Sequence, residues 1–201
     1  MSSFLEVVPN IFRLKIPFYS VYTSVFLVKS KKELILVDCA TTSSDVENYI
    51  IPAFSALGYN IKDISCLVVT HDHSDHAGGL ECIIKHNPDI RIVRKVEYIS
   101  DEISVYPLSG HTRDFIGLFD KRSGTLISGD GLQGAGIKQY RTMLEDKNDY
   151  VETLERIKCD DRIVNILFSH DYEPWYKDFM FGREAVLECL EECKKYIGEI
   201  K

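Results

Sequence analysis

Apolar and polar residues alternate in short runs over the first 38 positions of the chain, a pattern typical of β-strands. The runs at 11–16, 22–29 and 34–38 are rich in β-branched and aromatic residues, and the segments 17–20 and 30–33 have the composition of hairpin turns. The pattern therefore predicts an antiparallel sheet at the start of the chain.

Helical spacing of apolar residues follows this sheet. Ser43 or Ser44 can cap a helix that runs to about residue 57 and ends at Gly58, and we expect Pro52 to kink or restart it. A continuous apolar run then predicts a buried strand over residues 64–70.

The rest of the chain alternates between strands and helices. We predict strands at 90–94, 103–108, 115–120, 125–128 and 162–168, and helices at 78–86, 149–158 and 184–200. This order fits two sheets covered by helices better than a doubly wound sheet. Because no linker, repeat or low-complexity tract interrupts the pattern, we expect a single domain over residues 1–201.

The composition narrows the classes of function. The chain has 201 residues, 45% hydrophobic and 27% charged, and a formal net charge of -7. Electrostatic attraction to nucleic acids or anionic membranes therefore has no obvious source. The sequence has neither a long apolar span nor a signal-peptide pattern, so we expect a cytoplasmic protein. The six cysteines form no C-x-x-C pair, which favours reduced thiols.

One segment concentrates candidate chemistry. Residues 70–79 read T-H-D-H-S-D-H-A-G-G and follow an apolar strand. In an extended loop His71 and His73 point to the same side, and Asp75 and His76 come where the chain turns into a helix, so the two pairs can face adjacent points. Imidazole and carboxylate groups suit zinc, iron or manganese. The alternative is a solvated polar loop with helix-capping aspartates.

Further candidate ligands follow other apolar runs, at positions where loops on a rigid sheet often carry function. His111 follows residues 108–110, Asp130 follows 126–129, and His170 follows 166–169. Each alone could be a turn residue. Together with the first cluster, they supply what two coordination spheres would still need.

The chain resembles the metallo-β-lactamase-fold hydrolases. The resemblance rests on segment 70–79, S-G-H-T at 109–112, S-G-D at 128–130 and S-H-D at 169–171, and it spans about residues 10–170. It implies a fold of the α+β class, an αβ/βα four-layer sandwich of two mixed β-sheets flanked by helices, with two metal ions at one edge of the sheets.

The resemblance also implies a ligand set. It assigns His71, His73 and His111 to the first metal, Asp75, His76 and His170 to the second, and Asp130 to a bridge between them. The implied cofactors are two divalent ions, with zinc expected and iron and manganese as alternatives. A bridging hydroxide would then be the nucleophile, and Asp75 is the candidate to orient it or relay its proton.

Other residues have candidate supporting roles. Asp38 could accept the spare N–H of a ligand histidine or cap a turn. Arg113 could read a substrate carboxylate at the pocket mouth or be a solvated loop residue. The segment 129–136 could move over the metals or be a surface connection.

One departure from a related group concerns tyrosine. Acyl-homoserine lactonases place a catalytic tyrosine three residues after the bridging aspartate, where this chain has Gln133. This difference weakens the lactonase interpretation. Tyr140 and Tyr172 are the candidates to take the place of that tyrosine in contact with the substrate.

These expectations combine into a functional hypothesis, a dinuclear metal-dependent hydrolase of a small ester, thioester or lactone. An antibiotic-hydrolysing β-lactamase is disfavoured. Members of that group with a metal-ligating cysteine have the cysteine at the position where this chain has Asp130. The alternatives are an iron-dependent redox enzyme using oxygen or a persulfide, a phosphodiester hydrolase, and a non-catalytic binding domain. The expected partner is a small-molecule substrate, without nucleic acid or membrane, and the oligomeric state stays open.

Overall fold

The protein divides into two compact units, Met1–Arg94 and Lys95–Lys201, each with its own sheet and apolar core. The computed structural model describes residues 3–133, 144–172 and 175–197. The assignment of one domain to residues 1–201 stays a prediction.

Within the described residues, the first unit holds a six-stranded mixed sheet with strand order β1-β2-β3-β4-β5-β6. The antiparallel opening predicted from the sequence is confirmed, and β4, β5 and β6 are parallel to one another. The edge strand β1 was not predicted. The strands are β1 Leu5–Val8, β2 Ile11–Phe18, β3 Val21–Lys29, β4 Leu34–Val37, β5 Cys66–Val68 and β6 Arg91–Val93.

The predicted helix after β4 is built from three joined segments. These are α1 Ser43–Asp45, a π-helical segment Val46–Ile50, and α2 Ile51–Ala56. Pro52 lies in the first turn of α2, where a missing N–H costs little. Gly58 follows with a positive φ of 80°, as expected of a residue that ends a helix.

The helix predicted over 78–86 is confirmed, and a further short helix precedes it after β5. The two helices are α3 Ser74–Ala77 and α4 Leu80–His86. A 3-10 turn at Ile61–Asp63 precedes β5. Asp75 and His76 are thus helical residues of α3. Apolar side chains of the strands and helices form the core of this unit, including Leu14, Val25, Leu36, Val46, Phe54, Leu67 and Ile83, and each such buried side chain stabilises the fold by about 1.5–3 kcal/mol.

The second unit holds a five-stranded mixed sheet of the described residues, with order β11-β10-β9-β8-β7. Strands β9 and β10 are parallel, and the other pairs are antiparallel. The elements are β7 Ile103–Pro107, β8 Ile116–Asp120, β9 Thr125–Gly129, α5 Lys147–Cys159, β10 Asn165–Tyr172, β11 Lys177–Phe181 and α6 Arg183–Ile197.

Two differences from the sequence prediction concern this second sheet. β10 extends to Tyr172, so His170 lies within a strand rather than beyond its end. β11 was not predicted, and Phe181 at its end is exposed. Helices α5 and α6 pack apolar residues against the sheet, among them Tyr150, Leu154, Val186 and Leu190.

None of the helices in the described ranges has the length and apolar content needed to cross a bilayer.

Candidate metal centre

The first unit clusters its candidate ligands at the end of β5. The ring centroids of His71 and His73 are 4.4 Å apart, and those of His71 and His76 are 4.3 Å apart. The ligating atoms of His71 and His73 lie within 4.8 Å of each other, and Nε2 of His76 lies 3.3 Å from Oδ2 of Asp75. His71, Asp75 and His76 are buried, whereas His73 is exposed. This unit therefore presents two neighbouring pairs of nitrogen and oxygen donors.

Asp38 organises this cluster from the end of β4. Its Oδ2 lies 2.7 Å from Nδ1 of His76. Its Oδ1 accepts a hydrogen bond of 2.8 Å from the backbone N–H of Thr70, and the Thr70 hydroxyl lies 2.9–3.0 Å from both carboxylate oxygens. The same hydroxyl lies 3.1 Å from Nδ1 of His71. One buried carboxylate thus contacts one histidine directly and a second through Thr70.

These contacts assign the tautomers of both histidines. The ionised carboxylate of Asp38 only accepts hydrogen bonds, so His76 carries its proton on Nδ1. The single hydroxyl proton of Thr70 goes to Asp38, so Nδ1 of His71 donates to Thr70. Both rings therefore present Nε2 as an acceptor, the state a metal requires, and a carboxylate behind a ligand histidine also raises its basicity.

The backbone that carries Asp38 is unusual. Asp38 and Ala40 have φ angles of 62° and 61°, a region that costs an alanine about 1–2 kcal/mol. The turn is held by hydrogen bonds from the Cys39 N–H to the His76 carbonyl, 2.8 Å, and from the Gly79 N–H to the Ala40 carbonyl, 3.3 Å. The strained turn is therefore fixed to α3, which keeps the Asp38 carboxylate against the His76 ring.

Two glycines permit this close approach. A Cβ on Gly78 would lie 1.9 Å from the Thr41 carbonyl oxygen, and one on Gly79 would lie 2.1 Å from the Cys39 carbonyl oxygen. Any side chain would push the junction of α3 and α4 away from the 38–41 turn. The A-G-G end of the sequence motif is thus explained by packing of backbone on backbone.

Cys39 has a structural contact in the same turn. Its thiol donates to the His76 carbonyl oxygen at 3.2 Å. Burial raises the pKa of the Cys39 thiol to about 12, with a further contribution from the Asp38 carboxylate. The thiol therefore stays protonated at neutral pH and supports α3.

The second unit brings together Asp130 and His170. Asp130 follows β9, and His170 lies on the parallel neighbour β10. The distance between Oδ1 of Asp130 and Nε2 of His170 is 3.5 Å, and both side chains are buried. The Tyr172 hydroxyl donates a hydrogen bond of 2.9 Å to the same Oδ1. Tyr172 therefore helps to position the Asp130 carboxylate, which is the predicted bridge.

His111, which is also buried, lies beyond the end of β7. Gly110 before it has a φ of 138°, and a Cβ there would lie 2.6 Å from Cα and Cβ of Tyr150. The side-chain amide of Gln133 lies 3.4 Å from Nδ1 of His111. The Gln133 backbone N–H donates to the Tyr150 hydroxyl at 3.4 Å. Gln133 thus connects the segment after Asp130 to the His111 ring.

The remaining candidates differ in their positions. Arg113 is exposed, and its backbone N–H donates to the Glu145 carboxylate at 2.9 Å. Tyr140 lies outside the described residues, as does the part of the predicted 129–136 loop from residue 134 onward. The described part, including Leu132 and Gln133, is buried.

Sequence reasoning missed two supporting side chains. Thr70 stood inside the quoted motif but has no metal-ligand chemistry, so only the Asp38 contact reveals its function. Gln133 was noted only as a departure from the tyrosine of lactonases. The donors in both units are imidazole nitrogens and carboxylate oxygens, which fit zinc, iron or manganese.

Comparisons with known proteins bear on this donor set. Residues 19–102 match the family model described as the metallo-beta-lactamase superfamily. A "Beta-lactamase-like protein 2 homolog" of Caenorhabditis elegans is 30% identical over 164 residues, which cover 71% of this chain and 54% of that protein. A "Hydroxyacylglutathione hydrolase" of Idiomarina loihiensis is 32% identical over 167 residues, which cover 74% and 64%. The chain thus spans little more than half the length of the first of these relatives.

Solved structures match nearly the whole chain. The metallo-β-lactamase FIM-1 of Pseudomonas aeruginosa, in its mono-zinc form, superposes with a TM-score of 0.75 at 16% identity and covers 98% of this chain and 96% of its own. A metallo-β-lactamase of Erythrobacter litoralis gives a TM-score of 0.70 at 18% identity, with 96% of each chain covered. The likeness confirms the predicted fold of two mixed sheets with flanking helices. With the family match over the motif segment, it places the chain in a known group: the chain belongs to the metallo-β-lactamase superfamily.

Proposed function

We propose that this protein is a metal-dependent hydrolase that cleaves a small ester, thioester or lactone at a dinuclear centre. The observation that carries the proposal is the Asp38 network, in which one buried carboxylate fixes His76 directly and His71 through Thr70. A solvated loop with capping aspartates would not need this second layer of hydrogen bonds. A metal site needs it to select the ligating nitrogen.

The proposed ligands come from both units of the chain. Catalytic zinc sites use three protein ligands and keep one position for water or substrate, so neither donor pair of the first unit suffices alone. We assign His71, His73 and His111 to one ion, Asp75, His76 and His170 to the other, and Asp130 to the bridge. We propose zinc as the metal because the ligands are imidazoles and carboxylates, with iron or manganese as alternatives.

Two cations held in this way would lower the pKa of a water molecule into the neutral range and polarise the substrate carbonyl. The side chains of this protein have separate tasks. The buried Asp75 carboxylate, next to Nε2 of His76, would orient that water and accept its proton. Asp38 and Thr70 hold the histidines in one tautomer. Tyr172 positions Asp130 through its hydrogen bond.

The proposed substrate class is supported by the metal-ligand chemistry of the site and by the name that several relatives share. Relatives named hydroxyacylglutathione hydrolase act, by that name, on an acylglutathione, which is a thioester. We therefore place thioesters first among the substrates to test, ahead of oxygen esters and lactones. A small-molecule partner remains a proposal that fits the net charge of -7, and a cytoplasmic location stays a prediction.

The test combines metal analysis with turnover. Elemental analysis of protein purified without added metal should give about two equivalents of one divalent metal per chain, and Asp130→Ala should lose one of them. Metal-loaded protein is then assayed with an S-acylglutathione, a 4-nitrophenyl ester and an acyl-homoserine lactone. Turnover of at least one substrate, removed by a chelator and restored by zinc, is expected.

Two results would overturn the proposal. One equivalent of iron with thiol-dependent oxygen uptake would favour a redox enzyme. Full metal loading without turnover across the panel would favour a non-catalytic binding domain.

A further inference from the structure

A second cluster of metal-ligating side chains lies on the helices of the first unit. Glu47 comes from the π-helical segment, and Cys82 and His86 come from α4. The Cys82 thiol donates to Oε1 of Glu47 at 3.6 Å, and Nε2 of His86 lies 2.8 Å from the same oxygen. One ligand atom from each residue lies within 4.8 Å of the other two.

The local sequence explains why these three side chains meet. Cys82 and His86 are four residues apart on α4, so both project from one face of the helix. The joined helical segments after β4 present Glu47 to that face. This cluster is built entirely from residues of the first unit, and none of the three belongs to the ligand set proposed above.

The distances suit a tetrahedral ion. With Zn–S near 2.3 Å and Zn–N and Zn–O near 2.0–2.2 Å, the edges of a tetrahedron are about 3.3–3.6 Å long. The sulfur-to-oxygen distance of 3.6 Å already has this value, and the nitrogen-to-oxygen distance of 2.8 Å must lengthen by about half an ångström. Because the side chains of Glu47 and His86 are partly exposed, they can make this adjustment.

We propose that Glu47, Cys82 and His86 form a separate binding site for a borderline divalent cation of the zinc class, with water in the fourth position. The donor set of one thiolate, one imidazole and one carboxylate selects such an ion over magnesium or calcium, which prefer oxygen ligands alone. The alternative is a metal-free cluster, in which Glu47 accepts hydrogen bonds from His86 and from the core-packed Cys82 thiol; metal binding distinguishes the two.

Binding at this site exchanges protons for metal. Burial and the Glu47 carboxylate raise the pKa of the Cys82 thiol, while the Lys85 cation and the Ser43 hydroxyl act in the opposite direction. The thiol is therefore protonated at neutral pH, and its proton passes to solvent when the sulfur–metal bond forms. Affinity should consequently rise with pH.

The probe for this site is Co²⁺, because a thiolate ligand gives a near-ultraviolet charge-transfer band that imidazole and carboxylate ligands do not. The full-length protein is stripped with a chelator and titrated with Co²⁺ in the wild type, in Cys82→Ser and in Cys159→Ser. Cys159 is an exposed cysteine at the end of α5 and serves as the matched control.

We expect the charge-transfer band in the wild type and in Cys159→Ser. Cys82→Ser should lose the band and should bind one equivalent of metal less than the wild type. His86→Ala, at a partly exposed position, should weaken Co²⁺ binding at this site at least tenfold, since even a lost supporting hydrogen bond costs 10–100-fold. Because His86→Ala is far less disruptive to the core, it covers the case in which Cys82→Ser fails to fold.

Two outcomes would overturn the assignment. They are a wild-type protein without the band at saturating Co²⁺, and a band of full amplitude and unchanged affinity in His86→Ala. Neither outcome bears on the proposed hydrolase, whose ligands contain no sulfur.

Discussion

The first unit contributes four candidate ligands from six consecutive positions, 71–76, whereas the second unit contributes three from positions 111, 130 and 170. The first set follows one strand and enters one short helix, so the directions of its side chains follow from local backbone geometry. The second set depends on which strands are neighbours: Asp130 and His170 meet because β9 and β10 are parallel and adjacent. The geometry of a compact motif can be inferred from its spacing in the sequence. The geometry of a dispersed set follows only once the order of the strands in the sheet is known.

The two sets also differ in their support. Asp38 contacts His76 and Thr70, and through Thr70 it reaches His71. In the second unit, the Tyr172 hydroxyl donates a hydrogen bond to Asp130, and the Gln133 side-chain amide lies 3.4 Å from Nδ1 of His111. Because Asp38 reaches two histidines, we expect its substitution to disturb the first set more than substitution of Tyr172 disturbs the second.

The largest effect should come from removing one carboxylate of each set. Asp75→Ala should lower kcat by about 10²–10⁴-fold, the usual contribution of a positioned proton-transfer group. Asp130→Ala should lower kcat at least as much, because it removes the proposed bridge and with it one bound metal. Steady-state kinetics on the S-acylglutathione measures this loss, and circular dichroism checks that the fold is retained. Asp72→Ala is the control, because Asp72 lies in the same motif but is exposed and paired with Arg94. Substantial turnover in both carboxylate variants would contradict the assignment of Asp75 and Asp130 to the catalytic centre.

The next effect concerns the packing that fixes the compact set. Gly78→Ala should destabilise the protein by about 3 kcal/mol, because a methyl group cannot share space with the Thr41 carbonyl oxygen. Gly58→Ala is the matched control: nothing lies within 4 Å of its Cβ, and only the positive φ is strained, at about 1 kcal/mol. Urea unfolding compares the two, and equal losses would show that the α3–α4 junction is not the critical contact.

A smaller effect should follow from Asp38→Asn. The amide would present N–H to Nδ1 of His76, which would move the imidazole proton to Nε2, the nitrogen proposed to bind metal. We expect metal affinity to fall 10–100-fold with little change in stability. Competition with a chromogenic chelator measures the affinity. Asp45→Asn, in the α1 capping box, should leave it unchanged, and an unaltered affinity in Asp38→Asn would contradict the tautomer assignment.

The smallest effect should come from Tyr172→Phe, which removes one hydroxyl that contacts Asp130. One hydrogen bond is worth about 1 kcal/mol, so kcat should fall about fivefold and KM should change little. Tyr98→Phe, an exposed tyrosine of the same unit, should have no effect. A loss as large as that of Asp130→Ala would instead assign Tyr172 to the reaction itself.

Much of the fold could be predicted because apolar periodicity is local. The strands at 11–18, 21–29 and 34–37 are short runs rich in β-branched and aromatic or aliphatic residues, and helices α5 and α6 carry helical patterns. The edge strands β1 and β11 were missed, since each is four or five residues long and has one exposed side. The π-helical segment and the separation of α3 from α4 were also missed, because residue spacing does not encode either feature.

The sequence by itself determined the chemistry: which donors are present, that they follow apolar strands, and that no ligand in the proposed hydrolytic centre is a thiol. The tertiary structure decided how those donors are held. It placed Asp38 against His76, linked His71 through Thr70, paired Asp130 with His170 and Tyr172, and assembled Glu47, Cys82 and His86 on one helical surface. Residue type and local direction follow from the chain, whereas hydrogen bonds between residues 32 to 42 positions apart exist only after the sheets and helices have packed.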